Sequence, residues 1–452
     1  MGSSFWVETL GCPKNQVDSD KILGTLLRDG MVPADDPEDA DLIVVNTCAF
    51  IEEAREESVN TVINLSDARR DGARVVVTGC MAERYGDELV EALDGEGVLL
   101  PTDAVAGFGV PVTIGRKPGR TASFMAGDDG VPTFDLLNLP RPAATAPWAY
   151  VKVAEGCDRN CGFCAIPTFR GKQRSRTIDD ILHEVDALGA REIVLVAQDL
   201  AAFGRDQGVG DRSIVPLVQA VAARVDWVRL LYLYPSDLTS ELIDTILATG
   251  VPYFDLSLQH VSKPLMRRMR RWGNGEKFLE RIEHIRSLEP AATFRSNFIV
   301  GYPGETEDDH DQLLAFVEAA ELDWCGFFAY SAEAGTYALE LDGQVDRDLM
   351  DERLAELREL QDRTTAAKRD ELIGQRVTVL VDAPGQARST REAPEIDGII
   401  TVPDHLTVGA FVEVDIVDAL GPDLVAVATA GEPRGAASTA VAVGIGAGGA
   451  DT

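Results

Sequence analysis

Three times in its first 93 residues the chain runs an apolar, strand-length stretch into a cysteine and then changes to a helical period. "SFWVETLGC" ends at Cys12 and leads into "QVDSDKILGTLLRDG". "DLIVVNTC" ends at Cys48 before "AFIEEAREESVNTVINLSDA", and "ARVVVTGC" ends at Cys80 before "MAERYGDELVEAL". Apolar strands alternating with helical periods predict a parallel sheet covered by helices. In such sheets ligands gather beyond the carboxyl ends of the strands. A lone cysteine is commonly a small buried hydrophobe. Three at equivalent strand ends point instead to a shared metal site, and ligands that converge from distant segments suit a cluster better than a short finger motif.

A second set lies in "EGCDRNCGFCAIP", with Cys157, Cys161 and Cys164 inside eight residues and no fourth thiol nearby. A structural zinc site closes with four ligands. A cubane iron–sulfur cluster held by three thiolates keeps one iron open for a ligand that is not protein. This set follows "WAYVKVAEG", the first of six strand-like runs. The others are "EIVLVAQ", "DWVRLLYLY", "YFDLSLQ", "TFRSNFIVG" and "WCGFFAYS", with helical stretches such as "IDDILHEVDALGA", "SELIDTILATG", "EKFLERIEHIRSLE" and "EDDHDQLLAFVEAA" between them. Six strand–helix units predict a barrel-like α/β domain whose site is at the C-terminal strand ends, where the three thiols fall.

The expected organisation is an α/β multidomain chain. Residues 1–115 form the parallel α/β domain, 116–147 a Gly/Pro/Ala-rich linker, and 148–345 a partial (β/α) barrel. A charged connecting helix spans 346–374, a small antiparallel β-barrel 375–432, and an Ala/Gly tail at 433–452 reads as disordered. The N-terminus lacks the basic-then-apolar pattern of a signal peptide, and no apolar run is long enough to cross a bilayer. The expected location is therefore the cytoplasm, where thiols stay reduced and seven cysteines suggest metal binding or catalysis. A net charge of −33 favours basic partners over nucleic acid or an anionic membrane, although an acidic proteome alone would also explain it.

The C-x-x-x-C-x-x-C run, with the aromatic Phe163 before its last cysteine, resembles the cluster motif of radical S-adenosylmethionine enzymes. Together with Cys12, Cys48 and Cys80 upstream and a small β-domain downstream, the chain resembles the methylthiotransferases of that superfamily over nearly its full length. "TLGCPKNQVDSD", "LVAQDLAAFGRD", "LLYLYPSDL", "LSLQHVS", "FIVGYPGETEDD", "FAYSAEAGT" and "APEIDG" carry the likeness, the last two toward the branch that acts on a protein. "DLSLQH" departs from the pattern, where a proline commonly precedes Leu-Gln-His, and the tail is not a feature of the family.

The resemblance implies two 4Fe-4S clusters, with a TRAM-like C-terminal domain. Cys157, Cys161 and Cys164 would hold the cluster that binds S-adenosylmethionine, whose reductive cleavage gives a 5′-deoxyadenosyl radical. Cys12, Cys48 and Cys80 would hold an auxiliary cluster that carries the sulfur. Such a radical is needed because the β C–H of an aspartate is not acidic enough for general-base chemistry. No catalytic residue beyond the six cluster ligands is implied. The implied activity is methylthiolation of the β-carbon of an aspartate in ribosomal protein S-twelve, with an electron donor such as flavodoxin or ferredoxin.

Other residues carry two readings each. Phe163, Gln198, Asp199, Gly301, Pro303, Gly304 and Glu305 are the candidate cofactor contacts. "GYPGET" resembles a segment that supports the cofactor's adenine and methionine, and it is also an ordinary Gly/Pro turn with an acid at a helix start. Gln198 and Asp199 end the second barrel strand, which a polar turn explains almost as well. Gln259 and His260 end the fourth, and a lone histidine is more often packed than ligating. Arg295 could pair with a carboxylate. Cys325 reads as core, and "RRMRR" at 267–271 reads as a solvated helix face in preference to a patch for phosphate or acid.

Charge tests the substrate class separately. Residues 371–432 carry eleven acidic and three basic side chains, a net of −8. Affinity for RNA comes largely from neutralised phosphates, so this domain is poorly suited to RNA and well suited to a basic ribosomal protein. The same chemistry on a transfer RNA adenosine remains an alternative. So does a non-catalytic iron–sulfur carrier or sensor, although carriers ordinarily fill all four positions of a cluster.

Overall fold

In the computed structural model, residues 3–93, 97–99, 136–208 and 214–429 are described. Most of the expected linker and the whole 433–452 tail lie outside them. The N-terminal sheet is parallel throughout. Its central strands Ser4–Thr9, Leu42–Thr47 and Arg74–Gly79 are neighbours, with Val32–Pro33 and Val98–Leu99 at the edges. Leu42–Thr47 is buried along its whole length, as a run of Leu, Ile and Val covered on both faces must be. Helices Pro13–Arg28, Glu52–Ala68 and Cys80–Tyr85 follow the three central strands in turn.

The six expected barrel strands all form: Trp148–Lys152, Glu192–Val196, Trp227–Leu230, Tyr253–Gln259, Thr293–Val300 and Trp324–Ala329. They make two parallel triplets, joined by a single bridge between Leu233 and Leu256. Residues alternate across this wall. Ile193 and Leu195 pack outward with the helices, while Val194 and Val196 face inward with Tyr150, Tyr253 and Trp324. The helix Ile214–Ala222 stands between the second and third strands. Its nearly continuous apolar sequence, with Pro216 inside it, gives no clear helical period.

The barrel is open between its first and sixth strands, and the N-terminal domain is fastened to both edges. On one side the first helix sets Asp18 against Lys152, and Val17 joins the cluster around Tyr150. On the other, Glu333, just past the sixth strand, accepts hydrogen bonds from Arg55 at 2.7 Å and Arg84 at 2.6 Å. The described end of the expected linker is also packed rather than free. Leu137 is buried and its carbonyl accepts from Lys21 at 2.6 Å, and Arg141 pairs with Asp20 at 2.8 Å and Glu184 at 2.9 Å.

After the long helix Arg347–Asp370, five strands close a small barrel. It is antiparallel except where Ile400–Thr401 pairs in parallel with Asp423–Ala428. The loop after Gln386–Arg388 seats in the amino-terminal end of the large barrel. Arg388 and Arg229 both reach Glu192 at 2.8 Å, the Tyr150 hydroxyl donates to the Pro394 carbonyl at 2.7 Å, and the Trp324 indole donates to the Arg391 carbonyl at 2.8 Å. This plug fills the end of the barrel opposite the cysteines.

Candidate active site

Cys12 is the N-cap of the first helix, Cys48 directly follows the second central strand, and Cys80 opens the helix after the third. They stand side by side because the strands ahead of them do. Local backbone makes room for them. Gly11 has φ +94°, and a β-carbon there would lie 2.8 Å from Cβ and 3.1 Å from Sγ of Cys48. Gly79 has φ +86°, and a β-carbon there would lie 2.3 Å from Oδ1 of Asn46 and 2.5 Å from the Thr47 carbonyl. Gly79→Ala is therefore expected to destabilise the chain by about 1–3 kcal/mol and to lower its melting midpoint. Asn15, buried beneath the three thiols, donates to the carbonyls of Leu10 at 2.8 Å and Thr47 at 3.0 Å.

The second trio lies on the loop after the first barrel strand. That loop is tied down by Cys157 N–H to the Gly171 carbonyl at 3.1 Å, Gly162 N–H to Met269 at 2.8 Å and Ala338 N–H to Gly162 at 2.7 Å. Cys48 and Cys157 are buried and the other four thiols half-buried. Burial pushes the thiols of Cys48, Cys157 and Cys164 up to about 12, so taking up a metal at either trio releases protons. Among the described residues no three His, Cys, Asp or Glu close up as ligands of a single ion. A cubane does not require that, because its thiolates bind separate irons.

The donor chemistry fits such clusters. Each trio consists of soft thiols and receives N–H groups at sulfur, an interaction that tunes cluster potential. Arg170 donates to Sγ of Cys80 at 3.0 Å, Arg271 to Sγ of Cys161 at 3.1 Å and the Arg159 amide to Sγ of Cys157 at 3.4 Å. None of these arginines was expected at the site. Arg271 corrects in part the reading of "RRMRR" as a solvated face: Arg267 and Arg270 are exposed, but Arg271 reaches a thiol and Met269 of the same run is fully buried. The run had suggested a surface because arginines dominate it, and its partners come from other segments.

Between the trios lies a buried charge network. Lys152 bonds Asp18 and Glu155, Arg170 lies 3.6 Å from both carboxylates, and Gln198 donates to Glu155 at 2.6 Å. Burial opposes ionisation of Glu155, yet Lys152 and Arg170 hold it at about 2. Asp199 is buried and takes a hydrogen bond from Arg159 at 2.6 Å. Its Oδ1 and the Oε1 of Gln198 are buried without a hydrogen-bond partner, two acceptors suited to hydroxyl or amine donors of a cofactor.

The remaining candidates divide. Phe163 packs on the barrel core. Gly301, Pro303, Gly304 and Glu305 form a turn after the fifth strand. Glu305 closes that turn on itself, accepting from Gly301 N–H at 2.5 Å, Tyr302 N–H at 3.2 Å and Arg353 at 3.0 Å, so its carboxylate braces the loop. Arg295 pairs with Asp397 of the barrel-plugging loop, far along its strand from the thiols. Cys325 packs against the core beside it. Gln259 has φ +75° and Tyr232 φ +64°, two non-glycine left-handed residues at strand ends of the mouth, where such strain persists only when neighbours enforce it.

His260 is fully buried behind the wall, its Nδ1 accepting from Ser262 N–H at 3.1 Å, with Asp309, His310 and Arg353 nearby. Burial pushes it down to about 3. It is neutral in the fold and charges in the unfolded chain below about 6.5, so stability is whole above that pH and falls as pH drops toward 3. The expected loss from pH 7 to pH 5 is about 2 kcal/mol. His260→Asn, which keeps the acceptor, should flatten the pH dependence of the urea midpoint.

Three family models match stretches of the chain. The Radical SAM superfamily matches residues 151–317, the TRAM domain 373–429, and Uncharacterized protein family UPF0004 4–100. Fold and site define a radical S-adenosylmethionine methylthiotransferase, a class that works with two 4Fe-4S clusters. Among curated proteins, the ribosomal protein uS12 methylthiotransferase RimO of Cutibacterium acnes is 39% identical over 92% of this chain and 96% of its own. That of Moorella thermoacetica is 41% identical over 91% and 95%. This chain belongs to the family of ribosomal protein uS12 methylthiotransferases. Among solved structures, the cobalamin-dependent radical enzyme OxsB aligns over 80% of this chain and 56% of its own, with 10% identity and a TM-score of 0.46. No helix among the described residues is long and apolar enough to cross a membrane.

Proposed function

We propose that this chain methylthiolates the β-carbon of an aspartate in ribosomal protein uS12. The observation that carries the proposal is the pairing of two three-thiol sets across one barrel mouth, connected by Arg170, which follows Cys164 by six residues and touches Cys80. Cys157, Cys161 and Cys164 hold one cluster and Cys12, Cys48 and Cys80 the other. When bound, the clusters and S-adenosylmethionine supply the hydrogen abstraction, the methyl group and the sulfur.

The protein's own groups do the rest. Gln198 and Asp199 offer the unpartnered acceptors for the cofactor, Phe163 backs the motif loop, and the Gly301–Glu305 turn supports the cofactor from the fifth strand. The plugged barrel floor limits water entry from the far end. An acidic C-terminal domain suits a basic ribosomal protein and not RNA. The work is done in the cytoplasm, with electrons from a donor such as flavodoxin or ferredoxin and no membrane partner.

The deciding experiment incubates anaerobically reconstituted, reduced protein with S-adenosylmethionine, sulfide and uS12, and maps the product by tandem mass spectrometry. A methylthio increment on an aspartate is expected. An unmodified uS12 alongside accumulating 5′-deoxyadenosine would overturn the substrate and direct the search to transfer RNA.

A further inference from the structure

The acids at this mouth are crowded. Asp18, Glu155, Asp199 and Asp237 line it, and Asp255 lies just below. A substrate aspartate must bring one more carboxylate to the same place, one bond from the carbon that reacts. That anion needs a cation that is not already committed. Lys152 and Arg170 are shared between Asp18 and Glu155, and Arg159 between Asp199 and Asp237. Arg271 is divided between the Cys161 sulfur and the Ser257 carbonyl.

Lys14 is different. It lies two residues past Cys12; its side chain interacts with Tyr232, and the Asp255 carboxylate attracts it through space without a direct ion pair being formed among the described residues. Its ammonium lies 3.4 Å from the centre of the Tyr232 ring. That ring belongs to the barrel-interior cluster, so the ammonium is at the seam between the N-terminal domain and the mouth. The contact is held from behind: Tyr232 keeps its left-handed backbone because its N–H donates to Asp255 at 2.9 Å. One face of the ammonium rests on the ring, which leaves donors for a ligand on the other.

We propose that Lys14 anchors the carboxylate of the substrate aspartate and thereby places its β-carbon beside the Cys12 edge of the auxiliary site. This rests on the aspartate reading above. Lys14 selects an anionic side chain, while Tyr232 positions Lys14.

The test uses reconstituted wild type, Lys14→Gln and Lys14→Arg, with a uS12 peptide carrying aspartate or asparagine at the target position. Equilibrium binding is measured by fluorescence anisotropy, and iron per chain is measured on the same samples. Wild type is expected to bind the aspartate peptide about tenfold or more tightly than the asparagine peptide, Lys14→Gln to bind both alike, and Lys14→Arg to keep the preference. Retention of the preference in Lys14→Gln overturns the assignment, as does loss of iron, which would make Lys14 a support of the cluster. Equal affinity of wild type for the two peptides, with uS12 still methylthiolated, overturns this inference alone. A wild type that neither binds nor modifies uS12 overturns the substrate reading, and this inference with it.

Discussion

Cys12→Ala and Cys157→Ala chains are expected to fail in different ways. With Cys157 gone, both 5′-deoxyadenosine formation and uS12 modification should fall by more than about a thousandfold, to background. With Cys12 gone, modification should fall as far, while 5′-deoxyadenosine still accumulates. The split follows from geometry: the two trios are on separate scaffolds, one at the ends of a parallel sheet and one on a loop with its own backbone anchors. Chromatographic quantitation of 5′-deoxyadenosine beside mass spectrometry of uS12 reads both losses in one reaction. Equal loss of both products in the Cys12 variant would mean that the trios act as a single site.

The largest effect on stability is expected at the barrel floor. The Asp397 side chain is fully buried and accepts from Arg295, from the Tyr253 hydroxyl at 2.6 Å and from Ala393 N–H at 2.8 Å. Asp397→Ala removes the charge partner of the largely buried Arg295 guanidinium, which keeps only the Ile396 carbonyl at 3.1 Å, and leaves two further donors without an acceptor. Breaking a buried pair in this way costs about 3–5 kcal/mol. Asp397→Asn, which keeps an acceptor, should cost less. Urea denaturation of the three proteins gives the ranking, and a small loss in Asp397→Ala would show that water reaches the floor.

Much of this molecule could be read from the chain because its candidate ligand thiols obey the rule that builds the fold. Cys12, Cys48 and Cys80 end strands whose periodicity is plain, so predicting the sheet also brought the thiols together. Cys157, Cys161 and Cys164 needed only local spacing. Other features were hidden because they depend on pairs far apart in sequence. Arg170 meets Cys80 across 90 residues and Arg271 meets Cys161 across 110. Arg295 could be expected to want a carboxylate, but its partner is 102 residues away in another domain. Lys14 could not be distinguished from any surface lysine until the Tyr232 ring stood beside it. Gly301–Glu305 illustrates the converse: the motif was visible, and the structure shows its acid bracing the turn.

The segment after the third barrel strand sets a length scale. Tyr232 faces Lys14 at the first trio, and Tyr234, two residues on, lies under Arg159 at 3.9 Å and Arg271 at 4.4 Å, the arginines of the second. The rings are only two positions apart, and Tyr232 is left-handed, so the chain between them is turned and spans less than an extended strand would. One short segment of the barrel thus carries a contact toward each trio, and because Lys14 and the first trio belong to the N-terminal domain, movement at the domain interface would shift them against it. The spacing of the trios therefore depends on tight docking of the two halves as well as on the length of the chain at Leu233.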